Sequence, residues 1–244
     1  SAWTEEESAY EDELSTYARS YHDISDPDGR WSPYLILTHS TMACNGLRFY
    51  AKDDTNIDSA EVDVSSDGIA WTNVFSGAFT DKTWTEAWFT RQTVTQARIR
   101  FRVASNNVGL YWELYEFDFH RVTQITVSGT RDNPSVPVSL LVRGVASGTD
   151  SSVSGTYSIT AWMGDEDPLL IYDDNNAVGN DAAIVTLANA SANMTGLNLT
   201  ATTLILRNDF GSVITNTDIL TARGASADTD IPYTWSSLNI TISS

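Results

Sequence analysis

The stretch "ARIRFRV" (97–103) alternates strictly, with Ile99, Phe101 and Val103 on one side and Arg98, Arg100 and Arg102 on the other. A period of two is that of a β-strand with one face in a core. "ELYEFDF" (113–119) alternates too, setting Tyr115, Phe117 and Phe119 opposite Leu114, Glu116 and Asp118. "GLRFYA" (46–51) and "AEVDVSS" (60–66) are shorter cases. Turn signals separate such runs: "DPDG" at 26–29, "DDTN" at 53–56, "SDG" at 66–68 and "SNN" at 105–107. Beyond Val122 the predicted strands are "TQITVSG", "VSLLVRGVA", "TYSITAWM", "PLLIYD", "AAIVTLA", "LNLTAT", "TLILRN" and "SLNITIS". Short strands at this spacing read as a β-sandwich.

One segment follows another period. Tyr10, Leu14, Tyr17 and Tyr21 recur at helical spacing behind Glu5, Glu6 and Glu7, which suit a helix N-terminus. The spacing predicts a short helix, or a few helical turns, ahead of the sheet.

The texture changes near His120–Gln124. Trp3, Trp31, Trp71, Trp84, Trp88 and Trp112 precede that point, and the remainder is richer in Thr, Ser, Ala and Asn. Two all-β domains are predicted, residues 1–122 and 123–244. The second is expected to be an immunoglobulin-like or jelly-roll β-sandwich.

Composition narrows the function classes. Hydrophobic residues make up 41% and charged residues 19%, as in a folding chain. The 32 acidic against 14 basic residues give a net charge of −18. Such a surface repels phosphate and anionic lipid, so neither nucleic acid nor membrane is expected as a partner. The single cysteine, Cys44, excludes an internal disulfide and any CxxC zinc pattern, and a buried, inert thiol is expected. The chain starts at Ser1 rather than Met, as expected if a segment has been processed away. Sequons stand at Asn189, Asn193, Asn198 and Asn239, in a Thr-rich sequence where chance produces them.

Three stretches of the first half resemble the discoidin, or coagulation-factor type C, family of galactose-binding-like jelly rolls. "AYEDELSTYA" (9–18) is similar to the family's opening A-F-D-G-D-x-S-T-Y. "VDVSSDGIAWTNVFSG" (62–77) resembles its V-x-x-S-x-D-G-x-x-W-x-x-V. "TQARIRFRV" and "LYEFDF", within 95–119, resemble its closing A-R-Y-V-R and L-x-E-(I/F)-x-V. The resemblance covers about half the chain and implies a discoidin-like jelly-roll sandwich over residues 1–122. "ACNGLRFYA" (43–51) followed by "YEFDF" resembles versions of this domain found in phage virion proteins.

The resemblance also implies a structural Ca2+ held by Glu13, Thr16 and Glu116 with loop carbonyls. Asp12 stands where the family has glycine, and Glu11 where it has aspartate. That departure is expected to alter the loop path and close the site. In the "SDG" turn, Gly68 is expected to supply a positive φ and Asp67 to bond its own turn. Trp71 just after it is expected in the core, largely buried, with no ligand stacked on it.

Catalytic signatures are missing from the sequence: no G-x-S-x-G, P-loop, G-x-G-x-x-G or H-E-x-x-H. The acidic runs "GDEDP" (164–168) and "YDDNN" (172–176) read as solvated turns rather than a carboxylate pair. Trp31, Trp84 and Trp88 are candidates for sugar stacking. Arg30 and Trp31, in the loop-like "DPDGRWSPY", are the preferred ligand-binding residues. Trp84 and Trp88 lie an even number apart and so share a strand face, which fits a core equally well. The arginine row has two readings: a grip for an acidic ligand, or pairing with the chain's own carboxylates.

The resulting expectation is a non-enzymatic virion structural protein of a tailed phage or similar virus, located in capsid decoration or tail. Its expected partners are other virion proteins, further copies of itself and host glycans. The alternative is a secreted or cell-surface pair of carbohydrate-binding modules.

Overall fold

In the computed structural model, residues 2–22, 29–52, 57–104, 110–173, 181–224 and 239–242 are described. The turns expected at 26–28, 53–56 and 105–107, and residues 174–176 of "YDDNN", lie outside them. The chain forms two compact units, Ser1–Arg121 and Val122–Ser244.

The first unit contains β1 (Ala18–His22), β2 (Leu35–Ala51), β3 (Ile57–Ser65), β4 (Thr72–Gly77), β5 (Trp84–Val103) and β6 (Leu110–Arg121). They form one antiparallel sheet in the order β1-β6-β2-β5-β3-β4. Phe49 on β2 meets Phe75 on β4 with ring centroids 5.3 Å apart. In a flat sheet those strands, three steps apart, would lie about 14 Å from each other. The sheet therefore closes over itself into two layers. The long strands β2 and β5 pass from one layer to the other, and β2 is broken by register shifts at Thr38/Met42 and Cys44/Gly46.

Between the layers, Leu35, Val62, Ile99, Phe101 and Val103 pack with Phe49, Trp112 and Leu114 as a single core. The alternation of "ARIRFRV" is fulfilled, since Ile99, Phe101 and Val103 are all buried. Cys44 is buried as well. Burial pushes its thiol up to about 11, although the Gly46 carbonyl lies 2.9 Å from Sγ.

The helical expectation near the N-terminus is corrected. Only Glu6–Ala9 form a 3-10 turn, and Ala18–His22 are β1, paired with Leu110–Leu114 of β6. Tyr10 and Leu14 are exposed. Tyr17 and Tyr21 instead pack on Tyr115 and Tyr111, at 5.0 and 5.1 Å.

The second unit pairs β7 (Thr123–Thr130) with β10 (Thr156–Met163). Its larger sheet runs β14-β13-β12-β11-β8-β9, from β8 (Val138–Val142), β9 (Val145–Asp150), β11 (Pro168–Asp173), β12 (Ala182–Leu187), β13 (Thr203–Leu206) and β14 (Asn239–Ile242). Two pairings, β12–β13 and β13–β14, are parallel. One face packs against β7 and β10 through Val127, Ile159, Leu169 and Ile184. The other face holds Leu141, Leu170, Val185 and Ala222 of helix α1 (Asn216–Arg223). Cover on both sides explains why "AAIVTL" is apolar without alternation. The all-β expectation holds, with one short helix added.

Candidate functional site

Three strands, β5, β2 and β6, set side chains in rows across one outer face. Directly opposed residues on neighbouring strands project to the same side. The register opposes Trp88, Gly46 and His120 in one row and Glu86, Arg48 and Asp118 in the next. Trp84, Tyr50 and Glu116 make the third. The central row is charged and the outer rows are largely aromatic.

Trp88 is the most open ring of the face, 44% exposed. Gly46 explains its pose. A Cβ there would stand 2.7 Å from Cε3 and 2.8 Å from Cζ3 of Trp88, so the indole rests on bare backbone. His120 abuts it edge-on at 4.8 Å, and the indole N–H donates to Glu86 Oε2 over 3.3 Å. The His120 Nδ1 lies 2.6 Å from Asn45 Oδ1. The ring is thus held by packing and by the hydrogen bond to Glu86, and the residue stays partly open to solvent. Beside it, Arg48 lies 4.1 Å over the Trp84 ring and holds Asp118 through Nε and Nη2, both at 2.8 Å. An exposed aromatic plane ringed by acceptors and donors is the arrangement that takes a sugar's C–H face and its hydroxyls. The even spacing of Trp84 and Trp88 did place both on one face, and that face is outside the core.

The other layer carries the arginine row, and there every charge is matched. Arg98 pairs with Asp63 at 2.8 Å, Arg100 with Glu61 at 2.5 Å and Arg102 with Asp58 at 3.0 Å. Aromatic rings interleave with the guanidinium groups. Arg98 lies 4.0 Å from the Tyr34 ring and 4.3 Å from Trp71, while Arg100 lies 4.6 Å from Tyr34 and 4.5 Å from Trp31. Burial and the nearby Asp63 raise the Tyr34 phenol above its ordinary value.

Trp71 is therefore half-buried on the outer face, not in the core, which corrects the expectation for it. The reason lies in the turn. Asp67 Oδ1 accepts from the N–H of Ile69 and Ala70, and Ser65 Oγ accepts from Gly68 N–H, with Gly68 at φ 72°. The link runs from Ser66 to Trp71, and β4 starts only at Thr72, so Trp71 precedes the strand. Trp31, half-buried, belongs to the same closed ladder. Arg30 contributes its carbonyl to the N–H of Val103 at 2.9 Å.

Asp12, Glu116 and Asp118 bring carboxylate oxygens within 4.8 Å of one another. Glu116 is buried, and its carboxylate accepts the N–H of Glu13 at 3.2 Å and of Phe117 at 3.1 Å. Burial raises its pKa most, and Asp118 adds to the shift. Glu13 contributes its carboxylate to the N–H of Ser15, and Thr16 donates to Glu11 and to the Glu13 carbonyl. Glu13 and Thr16 thus shape the loop, whereas Glu116 is joined in the cluster by Asp12 and Asp118. Asp12, where the resembled family has glycine, sits at φ 59°, the left-handed region that glycine favours and aspartate tolerates. All-oxygen donors with crowded negative charge fit a hard dication such as Ca2+, which takes six to eight oxygens. A cavity of about 460 Å3 adjoins the cluster, lined by Asp12, Asp118, His39, Met42, Phe119 and Arg121 among others.

No family model and no curated protein matches the chain. Solved structures match in fold. CBM32-1 from a family 31 glycoside hydrolase of Clostridium perfringens gives a TM-score of 0.37 at 19% identity, over 47% of this chain and 83% of that one. The CBM32 of AlyQ, solved with 4,5-unsaturated mannuronic acid, gives 0.36 at 18% identity, over 49% and 89%. A pectin binding carbohydrate binding module gives 0.35 at 13% identity, over 47% and 78%. The virion reading finds no support in the described residues or in these matches. About half of this chain is similar in fold to discoidin-like, galactose-binding-like carbohydrate-binding modules.

Proposed function

We propose that the chain is a non-enzymatic carbohydrate-binding protein acting outside the cell, and that its first unit binds glycan on the outer face of β5, β2 and β6. One observation carries the proposal: Trp88, 44% exposed, is packed on Gly46 beside Glu86 and Arg48. Stacking needs a rigid plane, and a ring fixed beforehand loses little freedom when a ligand arrives. A Ca2+ ion at Asp12, Glu116 and Asp118 would tie the loop of residues 10–16 to β6 and take no part in recognition.

Aromatic anchors at the centre of an interface commonly carry about 2 kcal/mol or more, or about 30-fold in affinity. Trp88→Ala should weaken binding by that factor on a glycan array and in titration of the best hit. Trp71→Ala and Trp31→Ala, in the closed ladder, should bind as the parent does. Undiminished binding by Trp88→Ala would refute this site.

A further inference from the structure

Resting on that reading of the Trp88 face, we infer that Glu86 is its specificity-determining residue, selecting uncharged, hydroxyl-bearing glycans and rejecting uronate and sulfated ones. The inference follows from which groups beside Trp88 stay open. Arg48 is the one guanidinium of the three rows, and it is already engaged, paired through two nitrogens to Asp118 and laid on the Trp84 ring. Of the carboxylates in these rows, Asp118 is the one Arg48 holds and Glu116 is buried in the cluster with Asp12 and Asp118, which leaves Glu86.

Glu86 is exposed and adjoins Trp88 directly. Its Oε2 receives the indole N–H, which fixes the carboxylate at the rim of the ring. Among the described residues no hydrogen bond engages Oε1, so that oxygen remains an acceptor for a ligand. A carboxylate that accepts a sugar O–H makes a charge-assisted hydrogen bond, stronger than one between neutral groups. The same carboxylate repels an anion. A uronate or sulfate on a ring stacked over Trp88 would come within several ångström of Glu86, and two like charges at that range oppose each other by about tenfold in affinity or more. The chain's net charge of −18 adds to the repulsion. The arginine row of β5, Arg98, Arg100 and Arg102, lies on the other layer, matched to Asp63, Glu61 and Asp58.

The test titrates the full chain against neutral polysaccharides (a galactan, a mannan, a β-glucan and a xylan) and acidic ones (polygalacturonate, alginate and chondroitin sulfate). Each titration is run with calcium, with chelator, and at low and high salt. The expected result is binding to at least one neutral polymer, with every acidic polymer at least about tenfold weaker. That gap should narrow at high salt. Glu86→Gln should weaken neutral binding several-fold and narrow the gap in the same way, which a purely structural role would not do. A preference for acidic polymers that Trp88→Ala abolishes would overturn the role of Glu86 and leave the glycan site standing. A neutral preference untouched by Glu86→Gln would also overturn it. Failure to bind any polymer would remove the glycan site and this inference together.

Discussion

A methyl group at position 46 would stand 2.7 Å from the Trp88 ring, and the ring has sheet backbone beneath it. Gly46→Ala should therefore tilt the indole off the sheet. Overpacking of this kind typically costs about 1–3 kcal/mol. The variant is expected to remain folded and to lose at least about tenfold in glycan affinity, read by titration beside a thermal melt. The even spacing of Trp84 and Trp88 put both on one strand face, and that much could be read from sequence. The strand that supplies the glycine was also legible, in "GLRFYA". The register opposing position 46 to position 88 was not, because strand pairing over forty residues leaves no local pattern. Trp71 misled for a related reason. Its motif spacing was right, but a residue one step before a strand has no face assigned by period two.

At the scale of the element, β3 and β5 show how an exposed sheet face can be saturated with charge and still be quiet. Each arginine of "ARIRFRV" is paired with a carboxylate of β3, directly opposite for Arg98 and Arg100 and one residue off for Arg102, and two also have rings against them. Asp63 is the most enclosed of those carboxylates, held by Arg98 and by the Asn73 amide at 2.8 Å. Arg98→Ala would strand it, and should cost about 1–3 kcal/mol in urea unfolding. Asp63→Asn in the same chain should restore part of that loss. The alternation, and the option of internal pairing, were readable in the sequence; the aromatic interleaving was not, because Trp31 and Tyr34 come from one loop and Trp71 from another, distant in sequence from β5.

The opening segment was misread through an ambiguity of number. Residues four apart share a face on a helix and on a strand alike. Tyr17 and Tyr21 satisfy both, and the four-residue step from Tyr111 to Tyr115 on β6 decides for the strand. Helix α1 went unread although Thr215 and Asp218 form a capping box and Gly224 ends it at φ 63°. Eight residues give too short a stripe for periodicity to register.

For the molecule as a whole, the acidic balance was plain from composition, but not which carboxylates are placed at a cost. Asp173, 1% exposed, is one of them. Burial is the main cause that pushes it up to about 6, and Asp181 adds to the effect. A folded pKa above the ordinary 3.8 means that the folded state binds the proton more tightly. The associated stability is fully present below about pH 4 and is lost as pH rises through about 6. Asp173→Asn should then raise stability by about 1–3 kcal/mol at pH 8 and leave it nearly unchanged at pH 3.5, measured by denaturant titration at both values.

The strands β2 and β5 have a further consequence, for anyone who cuts the gene. Each lends one stretch to each layer: Leu35–Thr38 of β2 pairs with Gln96–Ile99 of β5, and Gly46–Tyr50 with Trp84–Trp88. No boundary drawn between Leu35 and Val103 leaves a complete layer on either side. A shortened fragment meant to display only the Trp88 face would expose Phe49, Leu47 and Leu114, because the strands that cover them continue from the ones removed. The smallest piece worth expressing for the binding face is therefore the undivided first unit.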